Sequence, residues 1–383
     1  MKILTIKDID IQNKTLFIRS DLNVPIHSGK ILSDFRIKSA LPTIQFALKK
    51  NANIILASHL GRPKEGLYEE KYSLYPIAKL LQKLLNFPVF LKKDLSKKEN
   101  FDQKGIFLLE NVRFNKGEKN NEILLSKKYA SLCDIFVMDA FGVAHRKQSS
   151  NYGISKFVPI SCGGILLEKE ILNIQKALLN PKKPIVSILG GAKLSTKFSI
   201  IKNLLKISNN IIVGGGIANT FIAAKNCSIG NSLYEPSYIE KAKKFFNTKK
   251  IYYPIDVKVL NSSKKSQIFN KKIYEIENKE KILDIGNQSI KIFKKLILQA
   301  KTIIWNGPMG VCEIQGFSEG TKKIIQYIID SGAFSLLGGG DTIATLKTLN
   351  FSLENFSYVS TGGGSFLKFI EGKKIPCIEI LKK

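Results

Sequence analysis

Cysteine is sparse in this 383-residue sequence, and its five residues form no C-x-x-C pair. The odd count and the wide spacing argue against a disulfide framework and against a zinc ribbon, and favour a reducing compartment. The N-terminal residues lack the apolar core of a signal peptide. The longest uncharged stretch, 207–224, contains three asparagines and three consecutive glycines, which makes a membrane span a poor interpretation. We therefore expect a cytoplasmic protein that does not bind a membrane.

Acidic residues are also few, so that the formal net charge is +29. Such a charge can indicate a nucleic-acid partner. The lysines, however, are scattered along the whole chain, and no basic stripe is interleaved with aromatic residues. Together with the many Ile and Asn residues, this pattern is typical of drift towards A/T-rich codons, which places lysine on solvated surfaces. Nucleic-acid binding therefore remains an alternative, and we do not expect it to be the main role.

Arginine is scarcer still, with five residues against 55 lysines. All five arginines lie in the first 146 residues: Arg19, Arg36, Arg62, Arg113 and Arg146. The arginine side chain differs from lysine in its rigid planar fork, which binds phosphate or carboxylate with two hydrogen bonds. A cluster of such forks in one part of the chain predicts an oxyanion site there, whereas a single arginine would more simply form a structural ion pair.

Short apolar, β-branched runs recur along the chain and alternate with helical patterns such as 75–85 and 320–330. Near-continuous apolar strands indicate sheets covered on both faces, and their alternation with helices predicts an α/β fold of two doubly wound domains with parallel sheets. A charged amphipathic helix at 166–180, closed by Asn180-Pro181, is expected to join the domains. The predicted strands are 16–19, 54–57, 89–91, 106–109, 135–138, 185–189, 211–213, 251–253, 302–305, 334–337 and 358–360.

Polar clusters follow several strands of the first half, at 19–25, 58–63, 110–114 and 139–146. In open α/β sheets, ligands bind beyond the carboxyl ends of the strands, so we expect these clusters to meet. They offer Arg and His donors for oxyanions, with Asp and Asn for hydroxyl groups, and two of the three histidines, His59 and His145, lie inside them. This set suits a small phosphorylated hydroxy acid.

The second half has no arginine but contains glycine-rich turns at 190–197, 214–216, 338–342 and 361–365. Glycine lets the backbone approach phosphates closely, which predicts a nucleotide site. Lys193 and Lys197 would lie one helical turn apart if a helix begins near Ala192. Asp341, in a glycine turn, is a candidate Mg²⁺ ligand, and Glu313, in the 305–313 turn, could hold ribose hydroxyls.

Three common motifs are missing from these turns. The 190–197 segment does not match G-x-x-x-x-G-K-[ST], and 214–219 misses G-x-G-x-x-G at its last position. No G-x-S-x-G is present. An ordinary P-loop, a dehydrogenase and an α/β-hydrolase are therefore unsupported.

Taken in order, and with Glu371-Gly372-Lys373, these motifs resemble those of phosphoglycerate kinases through nearly the whole chain. The resemblance implies a monomer with two Rossmann-like lobes. Because the two substrates would then lie on separate lobes, a hinge must close to join them, and we hypothesise that it includes the 166–180 helix and the 360–364 turn. The resemblance further implies a phosphoglycerate-binding domain at 1–168, joined by a returning segment 371–383, and a nucleotide-binding domain at 169–370. The implied reaction is reversible phosphoryl transfer from 1,3-bisphosphoglycerate to ADP, giving 3-phosphoglycerate and ATP, with Mg²⁺ as cofactor.

The resemblance also implies roles for individual residues. Residues that would hold the glycerate substrate are Asp21, Asn23, Arg36, His59, Leu60, Gly61, Arg62, Arg113 and Arg146. Residues that would hold the nucleotide are Gly191, Ala192, Lys197, Gly214, Gly215, Asn306, Glu313, Gly339, Gly340, Asp341 and Thr342, with Asp341 on the metal. Groups that would neutralise the transferring phosphoryl group are Arg36, Lys193, Lys197 and the amides near Gly340 and Gly364.

The sequence departs from the family pattern at four positions. Cys312 stands where an aromatic residue is usual, and Val143 replaces a threonine. Phe366 and Lys368 replace a serine and a glutamate. None of these removes a residue assigned to chemistry, but they bear on the fit of the nucleotide pocket. A different small-molecule kinase on a similar fold remains the alternative, and it would bind nucleotide without responding to 3-phosphoglycerate.

Overall fold

The structure is a computed structural model that describes residues 2–93, 104–261 and 267–382. The chain divides into two compact units, Met1–Leu172 with Lys374–Lys383, and Asn173–Lys373. No helix within the described residues is both long enough and apolar enough to cross a membrane.

The first unit is built on a six-stranded sheet in which every neighbouring pair is parallel. Its strands are β1 (Thr15–Ser20), β4 (Asn53–Ala57), β5 (Val89–Lys92), β6 (Ile106–Leu109), β7 (Ile135–Asp139) and β8 (Ile160–Gly163), with a separate ribbon of β2 (Ile26–His27) and β3 (Lys30–Ile31). Its helices are α1 (Phe35–Lys49), α2 (Tyr75–Leu85), α3 (Ile123–Ala130) and, near the C-terminus, α12 (Pro376–Glu379). Helix α4 (Ile165–Leu178) begins in this unit.

The strand order β5-β6-β4-β1-β7-β8 places the first strand in the middle of the sheet. The chain first adds strands on one side of β1 and then returns to add β7 and β8 on the other. Strands β1 and β7 are buried along their whole length, and burial of such apolar runs supplies much of the stability of a core. The arrangement opens a crevice beyond the carboxyl ends of β1 and β7, where a doubly wound sheet binds its ligands.

The C-terminal residues belong to this first unit as well. The Leu4 N–H donates to the carbonyl of Leu381 at 3.0 Å, and the Cys377 N–H donates to the carbonyl of Ala144 at 3.2 Å. Helix α4 contains the boundary between the two units, which falls after Leu172.

The second unit repeats the same plan with the sheet order β11-β10-β9-β15-β16-β17, again parallel throughout. These strands are β9 (Ile185–Leu189), β10 (Asn210–Val213), β11 (Ile251–Tyr252), β15 (Thr302–Asn306), β16 (Phe334–Leu337) and β17 (Tyr358–Val359). The helices are α5 (Phe198–Leu204), α6 (Gly215–Ala224), α7 (Ile239–Phe246), α8 (Asn287–Leu298), α9 (Glu319–Asp330), α10 (Gly340–Thr348) and α11 (Gly364–Ile370). The order changes direction between β9 and β15, so the crevice lies beyond Leu189 and Asn306.

The prediction of an α/β protein with two parallel, doubly wound sheets is therefore confirmed. The eleven predicted strands all lie in the two sheets, although the strand predicted at 251–253 ends at Tyr252 and the one predicted at 358–360 ends at Val359. Strand β8 was not predicted. Nor was a three-stranded antiparallel sheet in the second unit, ordered β13-β12-β14 and made of β12 (Asp256–Asn261), β13 (Gln267–Lys272) and β14 (Glu280–Ile285).

Candidate functional site

The crevice of the first unit holds polar side chains from loops that follow β1, β4 and β6. Asn23 accepts a hydrogen bond from the Gly61 N–H through its Oδ1 at 2.9 Å, and Arg113 donates to the Gly61 carbonyl at 2.5 Å. Arg36 projects from the first turn of α1 and donates to the Asn23 carbonyl at 2.9 Å. Its Nη1 also lies 3.4 Å from the Asp21 carboxylate. These contacts bring together groups that are 52 residues apart in the chain.

His59 is buried at the centre of this positive environment. Arg19 Nη2 lies 3.3 Å from His59 Nδ1. Because a guanidinium can only donate, Nδ1 must accept, and the ring proton is held on Nε2. Burial lowers the pKa of His59 well below its ordinary value, and nearby cationic charges lower it further, namely those of Arg19, Arg113, Arg36 and Arg146. His59 is therefore a neutral Nε2–H donor at physiological pH.

The remaining arginines differ in how they are held. Arg113 is buried, and burial together with the charges of Arg19 and Arg146 lowers its pKa to about 10. Its Nε is buried and has no hydrogen-bond partner among the residues that the structure describes. Arg62 and Arg146 are exposed, and Arg146 Nε lies 3.3 Å from His145. The set thus combines arginines fixed by the protein with arginines that extend into solvent, both available to an anion.

Several supporting residues of this crevice were not predicted as such. Arg19 is fully buried and donates from Nε to Ser150 Oγ at 2.9 Å, and Ser150 Oγ donates in turn to Glu118 at 2.5 Å. Burial raises the pKa of Glu118 to about 7 despite the nearby charge of Arg19. Asn111 donates to the Leu60 carbonyl at 2.7 Å and so fixes the loop that carries His59. Its position inside the 110–114 motif was the only sequence signal.

The crevice of the second unit contains a cavity of about 470 Å³. Five of the residues predicted to bind nucleotide line it: Gly191, Ala192, Gly215, Glu313 and Asp341. Most of the remaining wall is apolar and was not predicted, and it includes Leu233, Pro254, Val257, Met309 and Val311. An apolar cavity with a few polar groups at its edge is the usual form of a site for an aromatic ligand.

A polar cluster lies beyond the carboxyl end of β15. Lys197 Nζ donates to Asn306 Oδ1, and Asn306 Nδ2 donates to the Gly338 carbonyl at 2.5 Å. Thr342 Oγ1 accepts from the Gly307 N–H at 2.8 Å. Gly339 has φ +107, and a Cβ there would lie 2.3 Å from Asn306 Nδ2. The turn before α10 therefore requires glycine both for its conformation and for its contact with Asn306.

Lys197 is the cation of this cluster. Burial lowers its pKa to about 8, and the charges of Asp341 and Glu371 only partly oppose that effect. A partly desolvated lysine beside the N-terminus of the nine-residue helix α10 is well placed for phosphate oxygens, because backbone N–H groups there also point outward.

Four further residues predicted for the nucleotide and phosphoryl-transfer site lie at or near helix N-termini or in the 190–197 loop. Lys193 and Lys197 are not on one helix, because α5 begins only at Phe198, and the prediction of one shared helical face is wrong. Lys193 is exposed and does not line the cavity. Gly214 precedes α6, and Gly340 begins α10. Gly364 is exposed at the start of α11.

The four departures lie as follows. Phe366 is fully buried and packs against the Gly338 turn, where a Cβ on Gly338 would lie 2.5 Å from its ring. Val143 is buried. Cys312 is partly buried, and burial raises the pKa of its thiol. Lys368 lies in the last turn of α11. Phe366 therefore packs against the turn before α10, next to the polar cluster of Lys197, Asn306 and Thr342.

Two doubly wound units, each with polar groups at the point where its strand order reverses, define a two-unit α/β protein. The family model described as phosphoglycerate kinase matches residues 6–373. The chain belongs to the phosphoglycerate kinase family.

Individual relatives agree over full length. The chain is 51% identical over 385 residues to a protein named phosphoglycerate kinase from Buchnera aphidicola subsp. Acyrthosiphon pisum (strain Tuc7), covering 100% of this chain and 98% of that one. It is similar to the structure of phosphoglycerate kinase from Coxiella burnetii with a TM-score of 0.91 and 45% identity, covering 99% of each chain. The structure of phosphoglycerate kinase from Pyrococcus horikoshii OT3 matches with a TM-score of 0.83 and 30% identity, over 99% of this chain and 98% of that one.

Proposed function

We propose that this enzyme catalyses reversible transfer of a phosphoryl group from 1,3-bisphosphoglycerate to ADP, giving 3-phosphoglycerate and ATP, a step of glycolysis. Membership of the phosphoglycerate kinase family supports this reaction. The observation that carries it within the chain is the group of arginines around neutral His59 in the first unit. Such a group suits a small molecule with several negative charges, because each fork can pair with a phosphate or carboxylate.

The phosphoglycerate site is assigned to this first unit. Arg113 and the exposed Arg62 and Arg146 supply cationic forks. The Nε2–H of His59 supplies a neutral donor, while Asp21 and Asn23 supply acceptors for a hydroxyl group. Leu60 and Gly61 contribute the loop that Asn23, Asn111 and Arg113 hold in place.

The nucleotide is assigned to the second unit. The base occupies the apolar cavity, Glu313 at its wall accepts from the ribose hydroxyls, and Gly191, Ala192, Gly214 and Gly215 give the nucleotide close access to the backbone. The phosphates extend to the cluster of Lys197, Asn306 and Thr342 and to the N-terminus of α10 at Gly339 and Gly340. The site therefore runs from an apolar wall to a positive end, which complements a nucleotide that runs from an aromatic base to negatively charged phosphates.

Transfer of the phosphoryl group requires that ADP and the acyl phosphate are aligned and that the negative charge on the transferring group is neutralised. A terminal phosphate oxygen of ADP attacks the acyl phosphorus, the bond from phosphorus to the carboxyl oxygen breaks, and 3-phosphoglycerate leaves as a carboxylate. A carboxylate is a good leaving group, so no covalent enzyme intermediate and no general base are required. The equatorial oxygens of the transferring group carry the charge that must be stabilised. Arg36, Lys193, Lys197 and the amides near Gly340 and Gly364 are the groups assigned to that task.

A magnesium ion fits the residues present. Asp341 is an exposed carboxylate in the first turn of α10, beside Lys197 and the wall of the cavity. The described residues contain no group of three or more His, Cys, Asp or Glu side chains suited to a metal. This single carboxylate agrees with the usual way in which nucleotide-bound Mg²⁺ is held, by one or two carboxylates with phosphates and water. When bound, the ion supplies positive charge to the nucleotide phosphates.

Three finer assignments complete the proposal. The enzyme acts as a cytoplasmic monomer whose partners are its small-molecule substrates rather than nucleic acid or a membrane. Its domains correspond to the phosphoglycerate-binding and nucleotide-binding parts. A hinge that includes the 166–180 helix and the 360–364 turn closes to bring the two substrates together, because transfer in line requires contact between them and exclusion of water. Scattering curves that superimpose with and without both substrates would refute the closure.

A coupled assay of ATP consumption tests the reaction itself. The expected result is turnover that requires both 3-phosphoglycerate and Mg²⁺ and that does not occur with unphosphorylated glycerate, since the arginines have no phosphate to hold. ATP consumption that is equally fast without 3-phosphoglycerate would overturn the proposal. Nucleotide binding without any turnover would favour a different small-molecule kinase.

A further inference from the structure

The segment 233–235 lies between helix α6 and the 190–197 loop, and we call it the strap. At one end, the Leu233 carbonyl accepts a hydrogen bond from Asn219 Nδ2 at 2.9 Å, and Leu233 also lines the cavity. At the other end, the Glu235 N–H donates to Thr220 Oγ1 at 3.1 Å. Asn219 and Thr220 both belong to α6, so the strap is attached to that helix at two points.

The Glu235 side chain connects the strap to the 190–197 loop. Its Oε2 accepts from the Ser195 N–H at 2.7 Å, and its Oε1 accepts from the Ser195 hydroxyl at 2.6 Å. Both carboxylate oxygens are thus engaged by one residue. Hydrogen bonds to an ionised acceptor are among the stronger ones in proteins, and a two-point contact also fixes direction.

Ser195 lies between the part of the loop that lines the cavity and Lys197. Gly191 and Ala192, upstream of it, line the cavity, and Lys197, two residues downstream, donates to Asn306. The loop is not helical at Ser195, because α5 begins only at Phe198. Upstream, the Gly191 carbonyl accepts from the Ile217 N–H of α6 at 3.3 Å, and downstream the Lys197 N–H donates to the Leu194 carbonyl at 2.9 Å. Between these two points, the Glu235 carboxylate holds Ser195 to the strap.

We propose that Glu235 is a positioning residue for the nucleotide, acting through Ser195 to set the place of Lys197 and of the Gly191-Ala192 wall. The strap thereby links the base end of the site, at Leu233, to the phosphate end, at Lys197. This inference rests on the nucleotide site of the proposed function. It assigns to Glu235 no contact with the substrate.

The test compares Glu235→Gln, Ser195→Ala and the double variant, with Glu240→Gln as a matched control. Glu240 is a nearby exposed glutamate in α7 whose carboxylate pairs with Lys243 at 2.7 Å. ADP affinity is measured by calorimetry without the second substrate, and KM is measured for ATP and for 3-phosphoglycerate separately. Ser195→Thr keeps a hydroxyl group and serves as the rescue variant, and Tm is recorded for every protein.

Glu235→Gln is expected to weaken ADP binding about tenfold, because glutamine offers one acceptor where two donors need partners. The double variant should be no weaker than the more affected single variant, Ser195→Thr should stay close to wild type, and KM for 3-phosphoglycerate should change by less than about twofold. Unchanged ADP affinity in both single variants, or equal losses for both substrates with a matching fall in Tm, would overturn the proposal. Because ADP binding is read without turnover, failure of the proposed reaction would show separately, in wild type.

Discussion

Nucleotide binding should be accompanied by uptake of a proton at Lys197. Burial lowers the pKa of Lys197 to about 8 in the free site, against an ordinary value of 10.5. Nucleotide phosphates placed against the ammonium group favour its charged form and return the pKa towards or above the ordinary value. The number of protons that Lys197 takes up per protein on binding is then about 0.1 at pH 7, about 0.5 at pH 8 and about 0.9 at pH 9, because these are the fractions of Lys197 that are neutral in the free site.

Calorimetry of ADP binding in buffers of different ionisation enthalpy measures this uptake directly. Lys197→Arg is the matched control, because arginine stays charged throughout this range and takes up no proton. Subtracting the proton uptake of Lys197→Arg from that of wild type removes the contribution of protons that bind to the nucleotide or to other groups. If this difference in proton uptake stays near zero from pH 7 to pH 9, the placement of Lys197 at the phosphates is refuted. By the same reasoning, kcat/KM for the nucleotide should fall as pH rises through about 8, since the charged form is lost.

Three further predictions concern single side chains. Gly339→Ala should weaken nucleotide binding at least about tenfold and lower the free energy of unfolding by about 1–3 kcal/mol, because the new Cβ would lie 2.3 Å from Asn306 Nδ2. Gly332→Ala is the control, since Gly332 also has a positive φ but its Cβ would have nothing within 4 Å, and this variant should lower Tm without affecting ADP affinity. Arg62→Ala should raise KM for 3-phosphoglycerate about tenfold or more while Tm stays unchanged, since the side chain is exposed; a lower Tm with unaltered KM would contradict its assignment. His59 should contribute no inflection to the pH profile of kcat/KM between about pH 6 and pH 9, because its lowered pKa keeps it neutral, and an inflection that disappears in His59→Gln would show otherwise.

The parallel sheets could be predicted because their strands are short, continuous apolar runs. β9 and β16 have the predicted bounds, and both are buried over almost their whole length. Strand β8 escaped prediction because Ser, Cys and Gly follow its single isoleucine, and its first residues are partly exposed. The antiparallel sheet escaped prediction because the alternation in β12 is short: Asp-Val-Lys-Val alternates, and Leu260 then interrupts the pattern.

Residues near the two candidate sites could be predicted where several polar or glycine residues follow one another in the sequence. They could not be predicted where the contacting residues are far apart in the chain. The loop containing His59 and the turn containing Asp341 were visible as motifs beyond strand ends. The apolar cavity wall draws on Leu233 and Pro254, which carry no motif. The shared face of Lys193 and Lys197 depended on a helix beginning near Ala192, but α5 begins at Phe198, and the Ser195 N–H donates instead to Glu235, which is 40 residues away. Long-range hydrogen bonds of this kind override local helical spacing and leave no periodic signal.

The most direct test of the central claim is 3-phosphoglycerate-dependent ATP consumption by wild type, Arg36→Ala and Lys38→Ala. Arg36 is held by Asp21 and Asn23 in the first unit, whereas Lys38, on the same helix, pairs only at the surface with Asp34. We predict that Arg36→Ala lowers kcat on the order of 10² to 10³ while ADP affinity is kept, and that Lys38→Ala resembles wild type. An Arg36→Ala enzyme with wild-type kcat, or wild-type ATP consumption that does not depend on 3-phosphoglycerate, would contradict the account.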